Sequence, residues 1–104
     1  MKRSRVLFES LDSFKIGEQI GEGGFASIYL ASSEDGRYKY AMKKISKEKQ
    51  QKENIDREVK AGQTLRHPNV AQFLAHFEDS NDDCLLFEYV KGKEFLGKKY
   101  EKLI

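Results

Sequence analysis

The feature that most constrains the fold is a glycine-rich string between two segments that have the pattern of β-strands. Apolar side chains at even spacing from Phe14 to Ile20 predict the first strand. The string Gly21-Glu22-Gly23-Gly24 breaks that pattern, and residues 28–31 predict a second strand. Folds in which such a loop opens a helix are excluded, because a strand follows the glycines. A strand–loop–strand unit remains, and by themselves the glycines are also compatible with a simple tight turn.

The rest of the pattern predicts three more strands and one helix. The predicted strands are residues 38–45, 70–77 and 84–90. Asp35-Gly36 is a hairpin signal, because glycine readily adopts the positive φ of a tight turn. Residues 46–66 have apolar side chains at helical intervals, and Pro68 ends that segment. We therefore predict an α+β fold, a five-stranded antiparallel sheet with one packed helix.

The composition fits one small domain in a reducing compartment. The chain has 104 residues, of which 38% are hydrophobic, and a formal net charge of +2, so nucleic acid is not an expected partner. Cys84 is the only cysteine, and no apolar run is long enough for a signal peptide or a membrane span. We expect a cytoplasmic or nuclear location, a leader over residues 1–13, a domain over 14–96 and a tail over 97–104 that begins a helix.

Lys43 and Glu58 are two charged side chains that the predicted fold brings together. Alternation along the third strand places Lys43 on the same face as Ala41. Glu58 lies on the helix beside Ile55 and Gly62, on the face expected to turn inward, and a buried carboxylate requires a cation. Such a pair would hold the ammonium beneath the glycine loop, where it could bind phosphates. Alternatively, both side chains belong to solvated surfaces, since this region is rich in lysine and glutamate.

Five landmarks, in this order, resemble the N-terminal, ATP-binding lobe of protein kinases across residues 14–96. They are the loop 21–28, Ala41-Met42-Lys43, Arg57-Glu58-Val59, the corner 65–70 and the strand 86–90 that leads into the interlobe hinge. The stretches 12–17 and 76–81 resemble polo-like and Aurora-type serine/threonine kinases. Two positions depart from the family pattern. Ala26 stands where the third glycine of the loop is usual, and Gly62 stands where a larger side chain packs the helix.

The resemblance implies ATP as the cofactor and assigns the residues that bind it, with Lys43 and Glu58 in the catalytic roles. The residues implied to form the phosphate-binding loop are Gly21, Glu22, Gly23, Gly24, Phe25, Ala26 and Ser27. Those implied to surround the adenine and ribose are Ile20, Ile28, Ala41, Phe87, Glu88, Val90 and Glu94. In this scheme Phe87 is the gatekeeper behind the adenine, and Glu88 and Val90 contribute backbone groups.

The resemblance also shows which kinase motifs this sequence lacks. Protein kinases use a catalytic-loop Asp and Asn, and the Asp of an Asp-Phe-Gly motif, to orient the substrate hydroxyl and bind Mg²⁺. Neither motif occurs in the 104 residues, so we expect no metal site and no second lobe in this chain. Asp79, Asp82 and Asp83 are assigned to a solvated turn. The chain is then a fragment of a kinase, one half of a split kinase, or a non-catalytic interaction module.

An isolated lobe of this kind is expected to expose the underside of its sheet. The apolar residues expected to line that face are Ile20, Ile28, Ala41, Phe87 and Val90. Large exposed apolar patches drive association. We therefore expect self-association or a protein partner on this face, in addition to ATP.

Overall fold

The computed structural model describes residues 13–64 and 71–89, which form one sheet and one helix. The elements are β1 (Phe14–Glu22), β2 (Ala26–Ser33), β3 (Lys39–Ser46), α1 (Lys52–Thr64), β4 (Phe73–Glu78) and β5 (Asp82–Glu88). Every strand pairing within these ranges is antiparallel. The predicted α+β class, a five-stranded antiparallel sheet with one helix, is confirmed. No helix in the described ranges is long and apolar enough to cross a membrane.

The strand order places β3 at the centre of the sheet. The order is β1-β2-β3-β5-β4, so β5, the last strand in the described ranges, lies between β3 and β4. Lys43 is therefore flanked by Ile28 of β2 and Leu85 of β5, and Ala41 is paired with Phe87. A side chain at the middle of a central strand is held from both sides by backbone hydrogen bonds, which gives Lys43 a fixed position.

The hairpin between β2 and β3 has the predicted Asp-Gly turn. Gly36 has a φ of 77°, a conformation that glycine adopts without steric cost, and its N–H donates to the carbonyl of Ser33 at 2.9 Å. The Asp35 carboxylate accepts hydrogen bonds from the Arg37 N–H and the Ser33 hydroxyl, which hold the pKa of this carboxyl below its usual value. The turn fixes the register that places Ile28 opposite Lys43.

Alternating side chains divide the core into two clusters on opposite faces of the sheet. The inner cluster lies on the face that packs against α1 and consists of Ile28, Ala41, Ile45, Ile55, Ala71, Leu85 and Phe87. The outer cluster lies on the other face and consists of Phe14, Ala31, Tyr40, Met42, Cys84 and Leu86. Ile55 anchors α1 to the inner cluster, and Val59 and Ala61 pack beside it.

The inner face is less open than we predicted from the sequence. Ile28, Ala41 and Phe87 were expected to line an exposed apolar surface, but all three are buried in the inner cluster. The reason is that Ile55, Ala71 and Leu85 enclose them together with the helix. Ile20 is only partly buried and packs against the same cluster. Val90, the fifth residue of that predicted surface, lies outside the described residues.

Several element boundaries differ from the predicted ones. The helix begins at Lys52 rather than residue 46, because residues 46–50 form a turn in which the Gln50 N–H donates to the Ser46 carbonyl at 3.0 Å. β4 begins at Phe73 rather than residue 70, and β5 begins at Asp82 rather than residue 84. The predicted leader up to residue 12, the corner 65–70 and the tail lie outside the described residues.

Candidate functional site

The glycine-rich loop joins β1 to β2 and is tied back to the end of β3. The Gly23 N–H donates to the Ala26 carbonyl at 2.8 Å, and the Ser46 N–H donates to the Phe25 carbonyl at 3.0 Å. A Cβ atom added at Gly24 would meet no heavy atom within 4 Å, whereas one at Gly21 would contact the Ile28 side chain at 3.4 Å. Gly36 is the only described glycine with positive φ, so the backbone conformation of the loop does not itself require glycine. Their contribution is an uncovered backbone that another molecule can approach closely.

Lys43 lies on the inner face of β3, as predicted, and forms an ion pair with Glu58 of α1. The Nζ of Lys43 contacts Oε2 of Glu58, and the two side chains are 4% and 13% exposed. A charge that is nearly buried is tolerated only with a partner, because desolvation disfavours the lone ion strongly. The pair therefore links the central strand to the helix and holds the ammonium at a defined place.

The glycine loop and the ion pair face the same concavity. It has a volume of about 350 Å³ and is lined by Gly23, Gly24, Phe25, Ala26, Lys43, Ile45, Gln50 and Glu58. Loop backbone and a fixed ammonium on the walls of one cavity are a combination that favours phosphate oxygens. The prediction that Lys43 and Glu58 meet beneath the loop is confirmed by their positions. The catalytic roles assigned to them remain predictions.

The residues predicted to surround an adenine ring also lie together, at a closed part of the inner cluster. Ala41 and Phe87 are register partners on neighbouring strands, and Ile28 packs with them. The Phe87 ring packs edge-on against Phe73, with ring centroids 5.5 Å apart. Because Ile28, Ala41 and Phe87 are buried in the inner cluster, they do not line an open pocket in this structure.

Glu88 ends β5 at the edge where the hinge was predicted. Its N–H donates to the Gln72 carbonyl at 3.0 Å, and its carboxylate accepts a hydrogen bond from the Gln72 N–H at 3.2 Å. These two bonds hold the end of β5 against the segment that precedes β4. Val90 and Glu94, the other residues assigned to the hinge and the ribose, lie outside the described residues.

Asp83 does not lie in a solvated turn, and this part of the prediction is wrong. It belongs to β5, shares the inner face with Leu85, is 6% exposed, and its Oδ1 lies 2.7 Å from Nε2 of His76. Asp79 does form the turn, where its carboxylate accepts from the N–H groups of Asn81 and Asp82 and its pKa is lowered by these bonds. Among the described residues, no group of three or more His, Cys, Asp or Glu side chains could hold a metal ion.

Sequence reasoning missed two polar residues near the cavity. Gln50 lines it from the turn before α1, and Ser46 ties that turn to the loop tip. No periodic signal marks either residue, because a non-repeating turn places both. The inward direction of Asp83, by contrast, follows from the alternation of Asp83, Leu85 and Phe87 along one strand.

Comparison with known proteins agrees with the observed fold. The family model for the protein kinase domain matches residues 14–103. Aurora kinase B of Danio rerio is 34% identical over 104 residues, which cover 96% of this chain and 31% of that protein. Aurora kinase B of Mus musculus is 33% identical over 97 residues, or 89% of this chain and 28% of that protein. Aurora kinase of Dictyostelium discoideum is 34% identical over 88 residues, which cover 81% of this chain and 23% of that protein.

The chain thus spans less than a third of the length of these relatives. The matched range includes the glycine loop, the ion pair and all five strands of the described sheet. This chain belongs to the protein kinase domain family.

Proposed function

We propose that this chain forms the ATP-binding part of a serine/threonine protein kinase, an enzyme that transfers the γ-phosphate of ATP to a protein hydroxyl. The observation that carries the proposal is the Lys43–Glu58 ion pair beneath the glycine loop. In this family, that pair has to be in place for phosphoryl transfer. The likeness to Aurora kinases supports the serine/threonine class.

The phosphate end of the site fits a nucleotide. Lys43 carries a positive charge into a cavity whose other wall is the backbone of Gly23 and Gly24. Glu58 restrains the ammonium, so that less conformational freedom is lost when phosphate oxygens bind. Bound ATP supplies the phosphoryl group, and Lys43 would bind its α- and β-phosphates. The ligands for Mg²⁺ belong to family motifs that the 104 residues do not contain.

The packing of the side chains at the adenine end should make ATP bind less tightly than it would to a preformed pocket. Ile28, Ala41 and Phe87 are packed together, so part of the binding free energy is used to separate them. We expect a dissociation constant on the order of 10⁻⁴ M or weaker for the isolated chain. We also expect little dependence on Mg²⁺, because the metal ligands of the family are not in the sequence.

Neighbouring lysines on opposite faces of β3 provide a matched test. Lys43 points to the inner face, whereas the Nζ of Lys44 lies 5.8 Å from the centre of the Tyr29 ring. ATP binding by the purified chain is measured by calorimetric titration for Lys43→Met and Lys44→Met. We expect Lys43→Met to weaken binding about tenfold or more, since it removes the cation that binds phosphate, and Lys44→Met to leave it nearly unchanged.

Lys43→Met also leaves a nearly buried carboxylate without its cation, which destabilises the fold. The double variant Lys43→Met/Glu58→Gln removes that charge and separates the loss of binding from the loss of stability. Equal affinities for Lys43→Met and Lys44→Met, with both variants folded, would contradict the assignment of Lys43. Strong tightening by Mg²⁺ would show that the chain does supply metal ligands.

A further inference from the structure

The cavity beneath the glycine loop has a polar side chain to which the ATP site described above assigns no role. Gln50, from the turn before α1, lines this cavity together with Lys43 and Glu58. Lys43 and Glu58 form an ion pair, so the pair as a whole carries no net charge. Binding of an anion here therefore gains from further N–H donors beside the ammonium. Among the described residues that line the cavity, Gln50 is the one other side chain that can provide them.

The hydrogen bonds of Gln50 determine which end of its amide group is left to donate. Its Oε1 accepts from the backbone N–H of Gln51 at 3.0 Å and from Nδ2 of Asn54 at 2.9 Å. A backbone N–H can only donate, so the atom that faces it is the amide oxygen. Asn54 is oriented in the same way, because its Oδ1 accepts from Nη1 of Arg57 at 2.8 Å. Nε2 of Gln50 has no hydrogen bond within the described ranges, and its N–H groups remain for a ligand.

The backbone around Gln50 connects this amide to the glycine loop. The Gln50 N–H donates to the Ser46 carbonyl at 3.0 Å, and the Ser46 N–H donates to the Phe25 carbonyl at 3.0 Å. One short turn therefore holds both the tip of the loop and Gln50. The Gln50 side chain is half-buried and restrained through Oε1, so it loses less conformational freedom on binding than an exposed glutamine does.

We propose that Gln50 is a further nucleotide-binding residue, whose Nε2 donates to phosphate oxygens of ATP beside Lys43. This inference rests on the proposed ATP site and adds a neutral donor to it. An amide donates to the phosphates without a charge of its own, whereas a carboxylate at the same place would repel them. Adenosine has no phosphate group, so its binding should not depend on Gln50.

Gln50→Glu is the informative substitution, because it keeps an oxygen for Gln51 and Asn54 but replaces the donor group with a charged acceptor. Affinities for ATP and for adenosine are measured by NMR titration of the isotope-labelled full chain. We expect Gln50→Glu to weaken ATP binding about tenfold or more and to leave adenosine binding unchanged. Gln51→Glu is the matched control, because it adds the same charge at an exposed neighbour that does not line the cavity. It should change either affinity by less than about twofold, since solvent and salt screen an exposed charge.

The side-chain amide signals of Gln50 give a second measurement, on the native chain itself. These signals are identified by their absence from the spectrum of Gln50→Ala. They should shift when ATP is added and stay in place with adenosine. Unshifted signals at saturating ATP overturn the proposal, even where Gln50→Glu does not fold.

Failure of the Gln50 assignment is distinguishable from failure of the ATP site. If Lys43→Met weakens ATP binding but folded Gln50→Glu binds ATP like the native chain, the Gln50 assignment is overturned and the site stands. Equal losses for ATP and adenosine in Gln50→Glu also overturn it, because they indicate a distorted helix start. A native chain that does not bind ATP overturns both proposals.

Discussion

At the scale of single residues, burial determines the chemistry of the two ionisable side chains at the middle of the sheet. Lys43, nearly buried on the inner face, forms an ion pair with Glu58 of α1. Cys84, on the outer face, is surrounded by apolar side chains, and this burial raises the pKa of its thiol to about 11. The nearby Lys44 opposes that shift without cancelling it. The same sheet thus carries a stabilised ion on one side and an unreactive neutral thiol on the other.

The raised pKa of Cys84 predicts a loss of stability in alkaline solution. In the unfolded chain the thiol ionises near its ordinary value of 9.0, whereas in the folded chain it stays neutral up to about 11. Between these values the folded state binds more protons than the unfolded state, so stability falls as pH rises. The contribution of the neutral thiol is complete below about pH 9 and is lost as pH rises toward 11.

Urea unfolding of the native chain and of Cys84→Ala, at neutral pH and at about pH 10, isolates this contribution. The alanine variant has no thiol to ionise. Its free energy of unfolding should therefore lie closer to that of the native chain at the higher pH, by about 1 kcal/mol. Other groups that titrate at alkaline pH are present in both proteins, so their effects on the free energy of unfolding cancel in the comparison. A deficit that stays constant across this range would mean that the folded thiol ionises as readily as the unfolded one.

At the scale of elements, α1 is the element that presents Glu58 to the sheet, and its first turn is weakly capped. The Gln51 carbonyl accepts hydrogen bonds from the N–H groups of Asn54 and Ile55, so Gln51 occupies the N-cap position. Glutamine is not among the preferred N-cap residues, because its side chain is poorly suited to accept from the N–H groups of the first turn. Ile55 and Glu58 follow within two turns, and the start of the helix therefore affects both the packing and the ion pair.

Replacing Gln51 by aspartate should stabilise the chain by about 0.5–1 kcal/mol. A short carboxylate accepts from the orphan N–H groups and interacts favourably with the positive end of the helix dipole. Gln63→Asp is the matched control, because the same substitution near the C-terminal end should be neutral or destabilising. Thermal unfolding of both variants measures the effect. Similar shifts in the two melting temperatures would indicate a general charge effect instead of capping.

Local periodicity predicted most of the elements and the central pair, and non-local contacts explain the rest. Alternation alone placed Lys43 with Ala41 on one face, and helical spacing turned Glu58 toward them. The position of β5 between β3 and β4 has no local signal, because it depends on how the chain returns after α1. The predicted start of the helix was wrong, because residues 46–51 contain good helix formers and favour a longer helix. The observed turn depends instead on a hydrogen bond from the Lys47 N–H to the carbonyl of Asn81, which lies far along the chain.

At the scale of the whole molecule, the described structure has two apolar clusters on one sheet and a charged pair that joins sheet to helix. The inner cluster holds α1 and the ion pair in place, and the outer cluster supports β3 from behind. This arrangement positions a cation and an uncovered backbone loop around one cavity. It does not bring acidic side chains to that cavity in the number that metal-assisted phosphoryl transfer requires.

We therefore expect that the purified 104-residue chain does not transfer phosphate. Phosphoryl transfer in this family needs Asp and Asn ligands for Mg²⁺ and an Asp that orients the attacking hydroxyl. The one carboxylate among the described residues that line the cavity belongs to Glu58 and is paired with Lys43. Asp83 is buried against His76, and Asp79 is engaged by the turn that begins β5.

The measurement is incubation of the chain with Mg-ATP labelled at the γ-phosphate and a generic protein substrate, with a full-length Aurora kinase as the positive control. Incorporation into the substrate should not exceed that of a buffer blank, because binding of phosphates by Lys43 positions ATP without activating an acceptor. Trace activity from a contaminating kinase would persist in the Lys43→Met variant. Incorporation that Lys43→Met abolishes and Lys44→Met preserves would instead show that this chain holds a complete catalytic site, with acidic groups supplied from outside the described ranges.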